Sequence, residues 1–116
     1  MAASRFFETT GFEFATLMAL GAAPYGLSEA GEVIATAGRI ADADADSWFD
    51  AWMAVAEQCL DEAGACEASG HPVSARWLYL RASSYMGTAF FYVLATRDPT
   101  RELAVWRRHR DAFDRA

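Results

Sequence analysis

A chain of 116 residues buries one hydrophobic core and has too little surface for a second, so a single helical domain over residues 1–116 is the starting expectation. The apolar content is 53%, the mean hydropathy is +0.02 and the formal net charge is −6, a balance opposite to that of a nucleic-acid-binding domain. Residues 1–70 hold 12 acids against Arg5 and Arg39, while residues 71–116 hold 8 arginines against 4 acids, which favours packing of the halves on one another or pairing between protomers.

The longest apolar stretch, residues 77–96, contains Arg81, Ser83, Ser84, Thr88 and the tyrosines Tyr79, Tyr85 and Tyr92. Those groups argue against a membrane span, and no membrane partner is expected. The run from Met1 to Phe7 leads into Glu8 and Glu13 without a basic segment before an apolar one, so the expected location is cytoplasmic. Cys59 and Cys66 are seven residues apart on one predicted helix, which separates their Cα atoms by about 10 Å, beyond disulfide reach. No second Cys/His pair completes a zinc site, so no metal and no cofactor is expected, and the two thiols read as small buried side chains.

In chain order, residues 12–20 form a short apolar helix, and the Gly and Pro punctuation of GAAPYGLS marks a loop. Ser28 is placed to cap a second helix, with Glu29 and Glu32 in its first turn. Asp42, Asp44 and Asp46 interrupt that helix, and Ser47 or Asp46 is placed to cap the next, with Asp50 three residues beyond Ser47. From there Trp48, Trp52, Val55, Ala56, Cys59, Leu60 and Ala63 fall on one helical face, opposite Asp50, Glu57 and Asp61. Gly70 ends this helix and Pro72 begins a long central one over residues 72–95, with His71 as its cap. Asp98 and Pro99 close the central helix, Thr100 caps the last, and Leu103, Trp106, Arg110 and Phe113 form its inward stripe. No segment alternates with period two, so the fold class is all-α, a small bundle of about five helices.

The chemistry-bearing motifs are incomplete. The Asp42-Asp44-Asp46 run imitates a calcium loop but has Ser47 where glycine is needed and Met53 where the bidentate Glu belongs. Gly26 to Gly31 has one residue too many for a nucleophile elbow and no strand before it. Neither His71 nor His109 has a carboxylate or cysteine at a spacing that makes a triad or metal site. What the chain does carry is aromatics with polar handles: Tyr25, Trp48, Trp52, Trp77, Tyr79, Tyr85 and Tyr92, together with Arg81. On the central helix, Trp77, Arg81, Ser84, Thr88 and Tyr92 gather in one narrow stripe, while apolar residues cover most of the remaining circumference. Such a helix sits in the middle of an assembly, and its stripe faces water or lines a cavity.

The order of the segments GAAPYG, GEVIATAGRI, DADSWFDAW, GHPVSARWLYLRASSY and DPTRELAVWRRHRDAF resembles the helical N-terminal segment of a group of α/β-hydrolases. That group includes 2,6-dihydroxypseudooxynicotine hydrolase, fungal pigment-pathway hydrolases that shorten polyketides, and fermentation-respiration-switch esterases. The likeness runs from Phe6 to Phe113 and is most specific at Ser47, Trp48 and Trp52 and at Gly70, His71, Ser74 and Ala75, followed by Tyr79 to Ala82. The resemblance implies a lid and subunit-contact element packed over a catalytic α/β domain, which in that group carries the nucleophilic serine, the acid and the histidine. No triad or oxyanion hole carries over onto this chain. One departure is specific: where the group has an arginine and a glutamate after the position of Tyr85, this chain has Gly87 and Phe90, so a more apolar cavity is implied.

Three readings follow. The first is a lid, substrate-pocket and subunit-contact domain of a serine-type hydrolase acting on an ester or on the C–C bond of a ketone-bearing aromatic or polyketide-like substrate, not hydrolytic by itself. Its partner is an α/β-hydrolase catalytic domain, in the same or a separate chain. The second is a stand-alone helical protein that binds an apolar small molecule, or cyclises one in natural-product biosynthesis, which predicts a closed cavity with Arg81 and the tyrosines turned inward. The third is a structural dimerisation module; a homo-oligomer is expected in any case. The residues assigned to a substrate pocket are Tyr25, Trp48, Trp52, Arg81, Ser84, Tyr85, Thr88 and Tyr92. Arg81 is assigned to an enolate, carboxylate or carbonyl oxygen, Ser84, Tyr85 and Thr88 to hydrogen bonds, and Trp48 and Trp52 to an apolar wall. On this reading Arg81→Met abolishes ligand binding and leaves the helices intact.

Overall fold

The helical periods of the sequence appear as five α-helices in the computed structural model, which describes residues 5–116. The expectation drawn from the run Met1 to Phe7 falls partly on residues 1–4, outside the described residues. Helix α1 spans Thr10–Gly21, α2 Ala30–Ala37, α3 Ala45–Ala68, α4 Pro72–Phe90 and α5 Glu102–Arg115. Short 3-10 turns at Ala23–Tyr25, Val93–Ala95 and Pro99–Arg101 fill the connections, and no strand occurs among the described residues.

Helix α3 buries the stripe its period announces: Trp48, Trp52, Val55, Ala56, Cys59 and Ala63 are inside, with Leu60 half-buried at the margin. Its end is a Schellman motif. Gly70 stands at φ +76, its amide donates to the Glu67 carbonyl at 3.1 Å, and the His71 amide donates to the Cys66 carbonyl at 2.8 Å. Pro72 then opens α4 at a position whose N–H would be unpaired in any case. His71 holds the cap position, but its side chain makes no cap hydrogen bond. Gly64, by contrast, is exposed inside α3 with open space around it, so Gly64→Ala is expected to stabilise the chain by about 0.5–1 kcal/mol. A denaturant midpoint measurement checks this.

Three expected caps are corrected by the partners these side chains take. Ser28 does not cap α2; it is buried and donates to the Ala19 carbonyl at 2.6 Å, near the end of α1. The cap is Glu29, whose carboxylate accepts from the Gly31 and Glu32 amides at 3.0 and 2.8 Å, bonds that hold it below the usual carboxylate range. Asp44, rather than Ser47 or Asp46, caps α3 by accepting from the Ser47 amide at 3.1 Å. The Ser47 hydroxyl accepts from the Ala41 amide, Asp46 accepts from the Arg97 amide, and Asp42 accepts from the amides of Glu8 and Thr9. The acidic run that imitates a calcium loop therefore staples three separate segments. Thr100 lies in the 3-10 turn ahead of α5 and bonds Asp98, so α5 starts without a side-chain cap.

Helix α4 is shorter than the expected 72–95. The Trp48 indole N–H donates to the Thr88 carbonyl at 2.9 Å, and the Tyr92 amide turns to the Ala89 carbonyl at 3.4 Å. The chain leaves the helix at Phe90 and passes into a 3-10 turn, with the indole bond meeting the Thr88 carbonyl in its last turn.

Helices α3 and α4 form the main packing pair, α5 packs on α4 within ion-pair reach of α3, and α1 lies across the C-terminal half of α4. The principal extents are 49 × 36 × 18 Å. Packed helices lie about 8–10 Å apart and each is about 10–12 Å across with its side chains, so an 18 Å thickness corresponds to about two helix layers. Several large apolar side chains nevertheless stay exposed. The difference is clearest on α5, where the expected inward stripe is corrected: Val105 and Ala112 are the buried contacts, while Leu103, Trp106 and Phe113 are 55%, 44% and 56% exposed. Small side chains let α5 approach α4 closely, and the large ones stand to the side.

The arginines of the second half meet the acids of the first, as the charge layout suggests. Arg81 pairs with Glu32, Arg97 with Asp46 and Asp50, and Arg108 with Glu57. No helix is long and apolar enough to cross a membrane among the described residues.

Candidate functional site

A trough lies between α1, the end of α4 and α5. Ala15, Met18, Ala19 and Ala22 line it from α1 and its end, Ser84, Gly87, Thr88, Phe90 and Phe91 from α4, and Trp106 and His109 from α5, around a volume of about 380 Å³. A second hollow of about 420 Å³ shares Ala15, Met18 and Phe91 and continues past Gly11, Phe14 and Tyr92. The floor is small residues; the walls are aromatic rings and a thioether. Phe90 and Trp106 lie 5.9 Å apart, and the Trp106 ring lies 5.3 Å from that of His109. Phe14, Met18, Phe91 and Trp106 are 65%, 50%, 55% and 44% exposed, so the trough is an open apolar face rather than a closed cavity.

At its floor His109 meets α4. Nδ1 lies 2.6 Å from the Ser83 carbonyl, which can only accept, so Nδ1 carries a proton and donates it there. The Ser83 hydroxyl, 3.1 Å from the same nitrogen, donates instead to the His109 carbonyl at 3.0 Å. Ser83 and His109 are therefore not a nucleophile–base pair: the nitrogen facing the hydroxyl is occupied, and Ser83 is only 3% exposed. Gly87 admits the ring, since a Cβ at that position would stand 3.4 Å from His109 Cε1. The sequence departure at Gly87 and Phe90 thus falls on the trough itself.

The residues assigned to a pocket from the sequence divide into four groups, with Tyr92 shared between the core and the second hollow. Ser84 and Thr88 line the trough; the Thr88 hydroxyl donates to the Ser84 carbonyl at 3.1 Å. Trp48, Trp52 and Tyr85 are fully buried in an aromatic core, and Tyr92 is half-buried against Phe12 and Trp48. Trp48 and Trp52 lie 5.6 Å apart, and Trp52 and Tyr85 lie 5.9 Å apart. Tyr25 is 75% exposed on the turn after α1 and makes none of these contacts.

Arg81 is committed to a protein partner. Its Nε and terminal nitrogen donate to the two Glu32 oxygens at 3.2 and 3.0 Å, the bidentate geometry of a strong pair. Burial pulls the guanidinium down, but the bonds and charge of Glu32 outweigh it and hold Arg81 above its ordinary value. Tyr85 donates to Glu32 at 2.7 Å and accepts from the Glu29 amide at 2.9 Å, so one tyrosine and one arginine of α4 anchor the start of α2. Burial, with Glu32 nearby, pushes the Tyr85 phenol far up.

The two cysteines are free, Cys59 buried and Cys66 half-buried. Burial, and after it the Glu32 charge, pushes the Cys59 thiol up to about 11. The thiolate is the reactive form, so at pH 8 a thiol reagent is expected to modify Cys66 and leave Cys59 untouched until the chain is unfolded. Mass spectrometry after a timed reaction checks the stoichiometry; rapid modification of both in the folded state would contradict this packing.

Fold and site together define an all-α unit with one open apolar trough. The sequence is similar, over nearly its whole length, to fungal hydrolases. It is 40% identical over 109 residues to a hydrolase of Fusarium sp and 37% identical over 109 residues to the 20-hydroxy-prefusarin hydrolase of Gibberella moniliformis, in each case 94% of this chain and 26% of the relative. It is 38% identical over 87 residues to an alpha/beta hydrolase of Aspergillus fumigatus, 75% of this chain and 20% of the relative. The chain thus spans about a quarter of the length of the curated relatives it matches. No family model matches it, and no solved structure matches it significantly.

Proposed function

We propose that this chain is the helical lid of a serine-type α/β-hydrolase, with its trough forming one wall of the substrate pocket over a catalytic domain. The observation that carries the reading is the open apolar trough, in a chain similar to a quarter of several hydrolases. An uncovered face with Phe14, Met18, Phe91 and Trp106 exposed is what a lid separated from its catalytic domain presents. The reaction is hydrolysis of an ester or of a C–C bond in a ketone-bearing aromatic or polyketide-like substrate, and the nucleophile, base and oxyanion donors belong to the catalytic domain. The lid contributes shape and exclusion of water. By the same apolar face the chain alone is expected to self-associate.

This reading is favoured over a stand-alone binding protein or cyclase. That alternative calls for a closed cavity with Arg81 turned inward, whereas the trough is open and Arg81 is paired with Glu32.

The test is the size and reactivity of the native polypeptide. An antibody to this chain should detect a protein roughly four times its length, given 26% coverage of the relatives, and a fluorophosphonate probe should label that same band. Detection of a 12.7 kDa species alone, with no fluorophosphonate-reactive polypeptide co-purifying, would sink the proposal.

A further inference from the structure

One polar group in the trough has an unused valence. With the His109 Nδ1 proton committed to the Ser83 carbonyl, the neutral imidazole offers a lone pair on Nε2. Nε2 has no hydrogen-bond partner among the described residues and is not among the fully enclosed unpaired atoms, and His109 lines the trough. The 2.6 Å bond to Ser83 keeps the ring in place, and Gly87 leaves it room on the α4 side. A rigid, oriented acceptor in an otherwise apolar slot has the form of a specificity determinant.

The slot's shape selects what approaches it. A floor of Ala15, Ala19 and Gly87 is flat because none of them projects beyond Cβ, and the Trp106 ring stands beside His109. A flat floor beside an aromatic wall suits a planar ring system, stacked or edge-on.

We propose that His109 is a specificity-determining residue of the trough: Nε2 accepts a hydrogen bond from a hydroxyl carried by a planar aromatic ligand lying on the Ala15, Ala19 and Gly87 floor against Trp106. The proposal rests on the lid reading only in treating the trough as part of a substrate pocket. The binding itself is a property of the chain, so the two fail separately: polypeptide size and fluorophosphonate labelling decide the one, ligand binding the other.

The experiment titrates the chain at pH 8, into the millimolar range, with 2-naphthol and with 2-methoxynaphthalene, which has the same rings and no O–H to donate. The expected result is a preference of about five- to tenfold for 2-naphthol, the range one net hydrogen bond provides. His109→Phe should retain binding of 2-methoxynaphthalene and lose the preference. In the unsubstituted chain, 2-naphthol should shift the imidazole resonances of His109 and leave those of His71, the other of its two histidines, in place. Equal affinities for the two ligands, or no shift at His109 on saturation, overturns the role of Nε2. Failure of both ligands to bind the folded chain overturns the trough as an aromatic site. Should His109→Phe not fold, the ligand comparison and the resonance shifts in the unsubstituted chain decide the matter.

Discussion

Trp48→Ala is expected to be among the most damaging single changes in this chain, costing about 3–5 kcal/mol against the ~5–15 kcal/mol a domain of this size holds. Trp48 is fully buried and touches the rings of Phe7, Phe12, Trp52 and Tyr92, so its removal opens a cavity bounded by four aromatic side chains. It also meets the last turn of α4, through the indole N–H donated to the Thr88 carbonyl at 2.9 Å. That second role separates Trp48 from its neighbour. Trp52 is equally buried, yet its indole nitrogen has no partner among the described residues. Trp48→Phe strands a buried carbonyl, whereas Trp52→Phe removes an unpaired donor, so Trp48→Phe should be worse by at least about 1 kcal/mol. Denaturant unfolding of the two phenylalanine variants is the check, and equal midpoints would mean that the indole bond contributes nothing.

Arg81→Met is expected to lower stability by about 2–3 kcal/mol, at or somewhat below the usual range for breaking a buried pair because both side chains keep some water. Arg81 and Glu32 are 22% and 23% exposed, and loss of the guanidinium leaves a carboxylate held only by Tyr85 in a partly desolvated site. A double-mutant cycle with Glu32→Gln isolates the pair: the second substitution should cost much less in the Arg81→Met background than alone. Read from the sequence, Arg81 is a ligand contact whose loss spares the fold. The bidentate pair reverses that expectation, and an unchanged denaturant midpoint in Arg81→Met would restore it.

Both predictions bear on how the proposed lid works. Trp48, Tyr85 and Arg81 make a rigid frame joining α2, α3 and the C-terminal half of α4. That frame holds the trough residues of α4, namely Ser84, Gly87, Thr88 and Phe90, at fixed places opposite α1 and α5. A wall that supplies shape to a substrate pocket depends on such fixing more than on its own reactivity. Within the trough, His109 is the side chain that sequence reasoning passed over, because its partner Ser83 is 26 residues away and no local spacing joins them.

The amino-acid sequence by itself determined the helices, since repeats of apolar residues near 3.6 positions and the punctuation at Gly70 and Pro72 act within a few residues of chain. The buried stripe of α3 and the α3–α4 joint are local in this sense. Only the tertiary structure decided which atoms those elements present to one another. Glu29 and Asp44 took the caps because Ser28 and Ser47 were drawn to carbonyl and amide groups of other segments. Arg81 went to Glu32, and Trp48 and Tyr85 went to the core, because partners 40 or more residues distant were brought within bonding distance. Helix α5 shows the general reason. A period fixes that Leu103, Trp106, Arg110 and Phe113 share a face, but the neighbour that covers a face is set by how helices dock, and here Val105 and Ala112 dock while the larger apolar side chains stay open to solvent.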